Sequence, residues 1–196
     1  MDAAREQASA PVVTVAMPIY NAGRYLRMAV SSIVFQTFDD WELLIIDDGS
    51  TDNALASITD ILDPRIKIFC DGHNRGLAAR LNQAIDHARG EFLARMDQDD
   101  VSYPDRLARQ VTLLRQDGTL DIVASRALLI DENNHAIGQF PFAEGHEAIT
   151  ARPWQGFPFP HPSWMGRRSW FRKHRYARPG PFFCEEIGRA SCRERV

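Results

Sequence analysis

Short apolar runs alternate with helical patterns along the first part of the chain. Four runs rich in apolar and β-branched residues predict buried strands at 12–17, 42–46, 66–70 and 91–96. Pro18 is predicted to end the first of them. Runs that are apolar throughout are typical of parallel strands that are covered on both faces of a sheet.

Between these runs, apolar residues recur at the spacing of one helical face. A stripe follows the first, third and fourth runs, and a further helix is predicted at about 52–61, after the second run. Asn21 is expected to cap the first helix, Gly90 to close the third and Pro104 to lie in the first turn of the fourth. The stripes are Leu26, Val30 and Ile33; Leu77, Leu81, Ile85 and Ala88; and Leu107, Val111 and Leu114.

Repeated strand–helix alternation predicts an α/β fold, with a mainly parallel sheet and helices on both faces. After Leu120 the pattern becomes irregular. A strand is predicted at 122–130, a turn at 133–134 and a returning strand at 138–142. The proline- and aromatic-rich stretch 153–162 predicts a loop.

Composition narrows the class of protein. The 196 residues suit one domain, and the net charge of −3 argues against a general nucleic-acid-binding protein. Three cysteines without metal-ligand spacing fit a reducing compartment, and residues 1–11 lack the apolar core of a signal peptide. We therefore expect a disordered segment at 1–11 and a cytoplasmic location, with peripheral association at the inner face of the membrane as an option.

Polar clusters follow three of the predicted strands, at 18–21, 47–50 and 97–100. In an open parallel sheet, ligands bind beyond the carboxyl ends of the strands, so these clusters are expected to share one rim. Asp97 and Asp99 are alternate residues after a strand, and two such carboxylates suit Mn²⁺ or Mg²⁺. The simpler alternative is that acidic residues in this stretch only cap the next helix.

Two residues of the other clusters suit a nucleotide base. The Asp48 carboxylate can accept a hydrogen bond from a base N–H, although the same stretch also reads as a turn around Gly49 with Asp52 as a helix cap. Tyr20 can stack on a base or cover the end of the sheet. The chain has no G-x-G-x-x-G after its first strand, no Walker-type glycine loop and no G-x-S-x-G elbow.

In this order, the motifs resemble those of the family 2 glycosyltransferases, which are inverting enzymes with the GT-A fold. The matching segments span roughly residues 12 to 185. They are MPIYNAGRYLRMAVSSIVFQTFDDWELLIIDDGSTD, NRGLAARLNQAI, ARMDQDDVSYPDRL, HPSWMGRRSWF and RYARPGPFFCEE.

The resemblance implies roles for individual residues, each an expectation. Pro18 and Tyr20 match the segment at the nucleotide base, and Asp48 matches the aspartate that recognises uracil. Arg80 lies where an arginine near the diphosphate is expected. Asp97 and Asp99 match the metal-binding DXD motif. Another candidate is His161, which begins an H-P-x-x-M segment near the donor and acceptor pocket; the alternative is a loop histidine held between two prolines.

The family's catalytic base is a carboxylate beyond the H-P-x-x-M segment, which makes Glu185 or Glu186 the candidate here. The final residues, IGRASCRERV, depart from the apolar helix of the family and are compatible with a translated sequencing adapter. We therefore predict a donor-binding part at 12–116, an acceptor-side part at 117–185 and a non-native tail at 186–196, with turnover impaired by the loss of the segment that follows.

The predicted function is transfer of a sugar from a nucleoside-diphosphate sugar, with UDP favoured by Asp48, to a hydroxyl of a saccharide or lipid-linked acceptor. Synthesis of surface polysaccharide or another glycoconjugate is the expected setting. Two alternatives stay open: a nucleotide-sugar-binding module without turnover, and a sugar nucleotidyltransferase. The second normally has a glycine-rich basic loop after its first strand, whereas MPIYNAG has one glycine and no lysine.

Overall fold

The structure, a computed structural model, describes residues 9–143, 147–148, 151 and 159–177. Strands and helices alternate along its first part and become short after residue 120. The strands are β1 Val13–Ile19, β2 Trp41–Asp47, β3 Ile66–Cys70, β4 Phe92–Arg95, β5 Ile122–Val123, β6 Leu128–Ile130, β7 Ala136–Gln139 and β8 Met165–Arg167. The α-helices are α1 Leu26–Val34, α2 Leu77–His87, α3 Arg106–Gln116 and α4 Arg168–Lys173.

A six-stranded sheet forms the centre, in the order β3-β2-β1-β4-β8-β5. The first four strands in that order are parallel, and β8 runs antiparallel to both β4 and β5. Strands β6 and β7 form a separate antiparallel hairpin. The predicted α/β class with a mainly parallel sheet is confirmed, and β8 is the antiparallel addition.

Hydrophobic cores lie on both faces of this sheet. One face packs α1 and α3 against β1, β2 and β4, and the other packs α2 and α4 against the same strands. The predicted stripe of the fourth helix, Leu107, Val111 and Leu114, is buried in the first core. Burial on both faces explains why the central strands read as continuous apolar runs in the sequence.

Some predicted boundaries in the first half are wrong for identifiable reasons. Pro18 does not end β1, because it pairs in parallel register with Ile46 and the strand continues to Ile19. Asn21 has φ 50° and caps no helix; its side-chain oxygen accepts a hydrogen bond from the Thr51 N–H at 2.8 Å.

Gly90 does not close α2 in a left-handed conformation. The helix ends at His87, and Ala88, with φ −59° and ψ 131°, is no longer helical. A Cβ on Gly90 would lie 2.5 Å from the backbone nitrogen of Thr14. This glycine is therefore required by close approach of two backbone segments, which the sequence does not reveal.

Other predicted elements are shorter than expected. The segment at 52–61 forms only a 3₁₀ helix, Ala54–Ile58, and Pro104 precedes α3 instead of lying in its first turn. The strand predicted at 122–130 divides into β5 and β6, which belong to different sheets. The returning strand is β7, slightly earlier than predicted. Within the described residues, no helix is long and apolar enough to cross a membrane.

Candidate functional site

The loops that follow β1 and β4 are joined by a pair of hydrogen bonds. The Gln98 side chain accepts from the Tyr20 N–H at 2.6 Å and donates to the Tyr20 carbonyl at 3.1 Å. The Tyr20 side chain remains 48% exposed, so its ring is available to a ligand. Pro18 is buried near the end of β1, just before this loop.

The loop after β2 joins the same rim. The Asn21 N–H donates to the Ser50 hydroxyl oxygen at 3.0 Å, and Ser50 in turn donates to the Asp47 carboxylate at 2.5 Å. Gly49 has φ +76°, as a turn glycine should, and a Cβ there would meet the His73 carbonyl carbon at 2.9 Å. The three predicted clusters therefore share one edge of the sheet.

The Asp48 carboxylate lies buried at the start of α2. It accepts hydrogen bonds from the backbone N–H of Arg75 at 2.7 Å and of Gly76 at 3.0 Å, and from Nε of Arg80 at 2.8 Å. These donors fix the orientation of the carboxylate and balance its charge. The carboxylate is thus rigid before any ligand arrives.

Each nitrogen of the Arg80 guanidinium donates a hydrogen bond to an acceptor within the protein. Its guanidinium is buried and also binds the Asp71 carboxylate through two bonds, of 2.7 and 3.0 Å, the Gln83 side chain and the His73 carbonyl. The hydrogen bonds from Arg80 hold the pKa of Asp71 well below its usual range, and the bonds to Asp71 raise the pKa of Arg80. Asp71 was not among the predicted residues, because an aspartate after an edge strand gives no signal by itself.

The acidic loop after β4 is anchored by an ion pair. Arg95 Nη2 lies 2.8 Å from a carboxylate oxygen of Asp97. Desolvation raises the pKa of Asp100 to about 6, and repulsion from the Asp97 and Asp99 carboxylates contributes to the increase. Negative charge is thus concentrated in a short loop.

This loop suits a divalent cation that is shared with a substrate. Among the described residues no group of three or more histidine, cysteine, aspartate or glutamate side chains could hold a metal ion. Asp97 and Asp99 offer hard oxygen ligands, and Mg²⁺ or Mn²⁺ commonly takes its remaining ligands from water and phosphate. The residues therefore fit a metal that binds together with a phosphate-bearing ligand.

His161 lies near this loop, in contact with the aromatic rings of Trp164 and Tyr176. Its Nε2 is 3.0 Å from the Tyr176 hydroxyl, and its ring meets the Trp164 ring edge-on at 4.6 Å between centroids. Burial, followed by the nearby charge of Arg95, lowers the pKa of His161 well below its ordinary value, so the imidazole is neutral. Burial also raises the pKa of Tyr176, which therefore keeps its hydroxyl proton.

Buried polar side chains of α3 hold the His161 segment against β4. Arg106 donates to the carbonyls of Arg95 at 2.7 Å and Pro162 at 3.1 Å, and Gln110 donates to the Ser163 carbonyl at 2.7 Å. Burial lowers the pKa of Arg106 to about 10, which still leaves it charged.

The structure thus brings together most of the predicted site residues. Tyr20, Asp97 and Asp99 lie in loops at one rim, while Asp48 and Arg80 form a buried pair at the start of α2. The two candidates for the catalytic base, Glu185 and Glu186, lie outside the described residues. Sequence reasoning missed Arg95 and Tyr176, because their contacts with Asp97 and His161 depend on how distant segments pack.

Comparison with known proteins decides the family. The model of the family described as Glycosyl transferase family 2 matches residues 14–175. The chain belongs to glycosyl transferase family 2. This family 2 chain is 36% identical over 167 residues to the putative glycosyltransferase EpsE of Bacillus subtilis (strain 168), covering 84% of the chain and 59% of that relative.

Another relative is the UDP-Glc:alpha-D-GlcNAc-diphosphoundecaprenol beta-1,3-glucosyltransferase WfgD of Escherichia coli. It is 31% identical over 129 residues, which cover 66% of this family 2 chain and 50% of WfgD. The chain thus spans about half the length of the curated relatives that it matches.

Solved structures share the GT-A fold of this family 2 chain. The S. aureus TarS fragment 1–349 in complex with UDP-GlcNAc superposes with a TM-score of 0.66 at 20% identity, over 84% of this chain and 48% of that one. The mannosyltransferase PcManGT from Pyrobaculum calidifontis, in complex with GDP-Man and Mn²⁺, gives a TM-score of 0.66 at 22% identity, over 89% and 50%.

Proposed function

We propose that this chain carries the donor site of a glycosyltransferase that moves a sugar from a nucleoside-diphosphate sugar to an acceptor hydroxyl with inversion. The observation that carries the proposal is the coupling of the β1 and β4 loops through Gln98 and the Tyr20 backbone. This coupling holds an exposed aromatic ring and a pair of carboxylates at the same rim. A base, a diphosphate and a metal ion are the groups that such a rim suits.

Each site residue has a proposed task. The exposed Tyr20 ring stacks on the base, and the fixed Asp48 carboxylate accepts a base N–H, which favours uracil. The guanidinium nitrogens of Arg80 already donate to acceptors within the protein, so we propose that Arg80 holds Asp48 in place. Asp97 and Asp99 hold Mn²⁺ or Mg²⁺, which when bound neutralises charge on the departing diphosphate.

The acceptor side is built around neutral side chains. His161 and the Tyr176 hydroxyl line it without adding charge, so they can orient an acceptor hydroxyl by hydrogen bonds. Inversion requires the acceptor oxygen to approach opposite the leaving diphosphate, so the enzyme's main contribution is to hold the two substrates in line. The acceptor proton passes to a carboxylate, for which Glu185 or Glu186 remains our candidate.

The proposed setting is synthesis of a surface polysaccharide or another glycoconjugate. WfgD, by its name, uses a UDP-sugar and a diphospholipid-linked acceptor, and TarS has been solved with UDP-GlcNAc. PcManGT, which shares the fold, has been solved with GDP-Man, so donors on this fold are not restricted to uridine nucleotides. We propose a UDP-sugar donor and a saccharide or lipid-linked acceptor met in the cytoplasm, at the inner face of the membrane.

Calorimetric titration with UDP, with and without Mn²⁺, tests this proposal on the chain as it stands. We expect Mn²⁺-dependent binding that Asp99→Asn weakens at least tenfold, while Asp105→Asn leaves it unchanged. Asp105 is the matched control, because its carboxylate pairs with Arg109 in an exposed i,i+4 contact. Binding of UDP that is equally strong without metal, or in Asp99→Asn, would contradict the metal site. Binding without sugar transfer would favour the binding-module alternative.

A further inference from the structure

Arg95 is a buried cation at the carboxyl end of β4. It pairs with Ala16 of β1 in parallel register, and its backbone N–H donates to the Trp164 carbonyl at 2.8 Å. The residue is only 4% exposed. Its backbone position is therefore fixed by the sheet on one side and by the segment before β8 on the other.

The guanidinium of Arg95 is only partly satisfied. Nη2 pairs with Asp97 at 2.8 Å, whereas Nε and Nη1 are buried and have no hydrogen-bond partner in the part of the chain that the structure describes. Buried donors without acceptors are strongly unfavourable, and those of native proteins usually meet water, an ion or a ligand. Arg80, which is equally buried, contrasts with it because all three of its nitrogens have acceptors.

The groups around Arg95 indicate which kind of acceptor its open N–H donors lack. His161 and Tyr176 are neutral at physiological pH, and Arg106 is a second buried cation that donates to the carbonyl of Arg95 itself. The neighbouring acidic groups are Asp97, which already pairs with Nη2 of Arg95, and Asp100. Two buried cations therefore face few anionic groups, and an oxyanion is the group that would accept from both open N–H donors of Arg95.

We propose that Arg95 is a further binding residue of the donor site, and that Nε and Nη1 donate to a phosphate oxygen of the bound nucleoside diphosphate. The inference rests on the proposed function, because it uses Asp97 as a reference point. A cation that is ion-paired with a proposed metal ligand would lie next to the phosphates that would share the metal. Arg95 would therefore orient Asp97 with Nη2 and contact the diphosphate with its other two nitrogens.

Titration of Arg95→Met and Arg95→Lys with UDP and Mn²⁺ tests this assignment, with uridine as the phosphate-free ligand. Loss of hydrogen bonds to a charged group predicts binding of UDP about ten- to a hundredfold weaker in Arg95→Met, with uridine binding unchanged. Arg95→Lys keeps the charge beside Asp97 but lacks the forked donors, so we expect it to lose at least tenfold as well. Arg109→Met, an exposed arginine of α3, is the matched control and should bind as wild type does.

The outcomes separate this inference from the proposed function. If the wild-type chain binds no nucleotide with Mn²⁺, the proposed function fails and the inference fails with it. If wild type binds UDP and the dissociation constants of both Arg95 variants lie within about twofold of the wild-type value, the inference alone is wrong. Equal losses for UDP and uridine would also overturn it, since they indicate a general collapse of the site. A double-mutant cycle that couples Arg95 to Glu185 in the ligand-free protein would assign the open donors to an internal carboxylate instead.

Discussion

The two parts of this domain differ in how they join the central sheet. The proposed donor-binding part, residues 12–116, rests on parallel strands with apolar side chains buried on both faces. The proposed acceptor-side part, which begins at residue 117, reaches the same sheet through β5 and β8, which have two and three residues. Side chains of α3 donate to the backbone carbonyls of Pro162 and Ser163 in this part, and Arg167 of β8 donates to the Leu114 carbonyl of α3.

This difference shows why the site lies where it does. A parallel sheet buries its strands but leaves their carboxyl-end loops free to carry polar groups. The acceptor-side segment lies beside those loops, and it buries apolar residues such as Trp164 and Phe171 in the second core of the sheet. The contrast leads to three predictions, given in order of decreasing expected effect.

The largest effect should come from the core of the donor-binding part. Leu44 of β2 is fully buried, so Leu44→Ala is expected to lower the free energy of unfolding by about 2–5 kcal/mol. Leu129→Ala, in the exposed hairpin strand β6, should change it by less than about 0.5 kcal/mol. Chemical denaturation monitored by circular dichroism measures both. Similar losses of unfolding free energy in the two variants would mean that Leu129 of the hairpin is also packed in a hydrophobic core.

A smaller effect should come from the polar link between the two parts. Gln110 is 1% exposed, and Gln110→Ala leaves the Ser163 carbonyl and Nε of Arg106 without this partner, which costs about 1–3 kcal/mol. Gln116→Ala, at the exposed end of the same helix, is the control and should be nearly neutral. Hydrogen exchange should accelerate at 163–167 before it does in β1 and β2. Uniform acceleration across the sheet would show that the parts unfold together.

The smallest effect should be a pH dependence from the buried carboxylate Glu42 of β2. Burial tends to raise its pKa, but hydrogen bonds from Lys67, Arg89 and Thr14 outweigh this and lower it from 4.5. A lowered folded-state pKa stabilises the fold above the unfolded pKa, and this stability is lost as the pH falls through the folded pKa.

Wild type should therefore lose more stability than Glu42→Gln as the pH falls below 4.5. Denaturation midpoints measured across that range test this. Glu132→Gln, which removes an exposed glutamate 3.7 Å from Arg24, should keep the wild-type dependence. Parallel curves for wild type and Glu42→Gln would contradict the assignment.

Much of the donor-binding part follows from local pattern. Strands buried on both faces leave apolar runs, and helices that cover them leave stripes, so β1 to β4 and the face of α3 could be predicted. The failures have causes that lie outside the local sequence. Pro18 continues β1 because neighbouring strands supply the pairing that holds it, and the predicted helix at 52–61 shortens to a 3₁₀ helix in the compact loop after β2.

The sequence by itself determined the fold class, the order of the first four strands and helices, and the polar clusters that follow three strands. Only the tertiary structure decided which distant groups meet, because a hydrogen bond between residues such as Tyr20 and Gln98 depends on strand order and register. The same holds for the open donors of Arg95, since burial without a partner is a property of packing. The local sequence pattern assigns residues to strands and helices, and the packing of those strands and helices decides which side chains come together in a site.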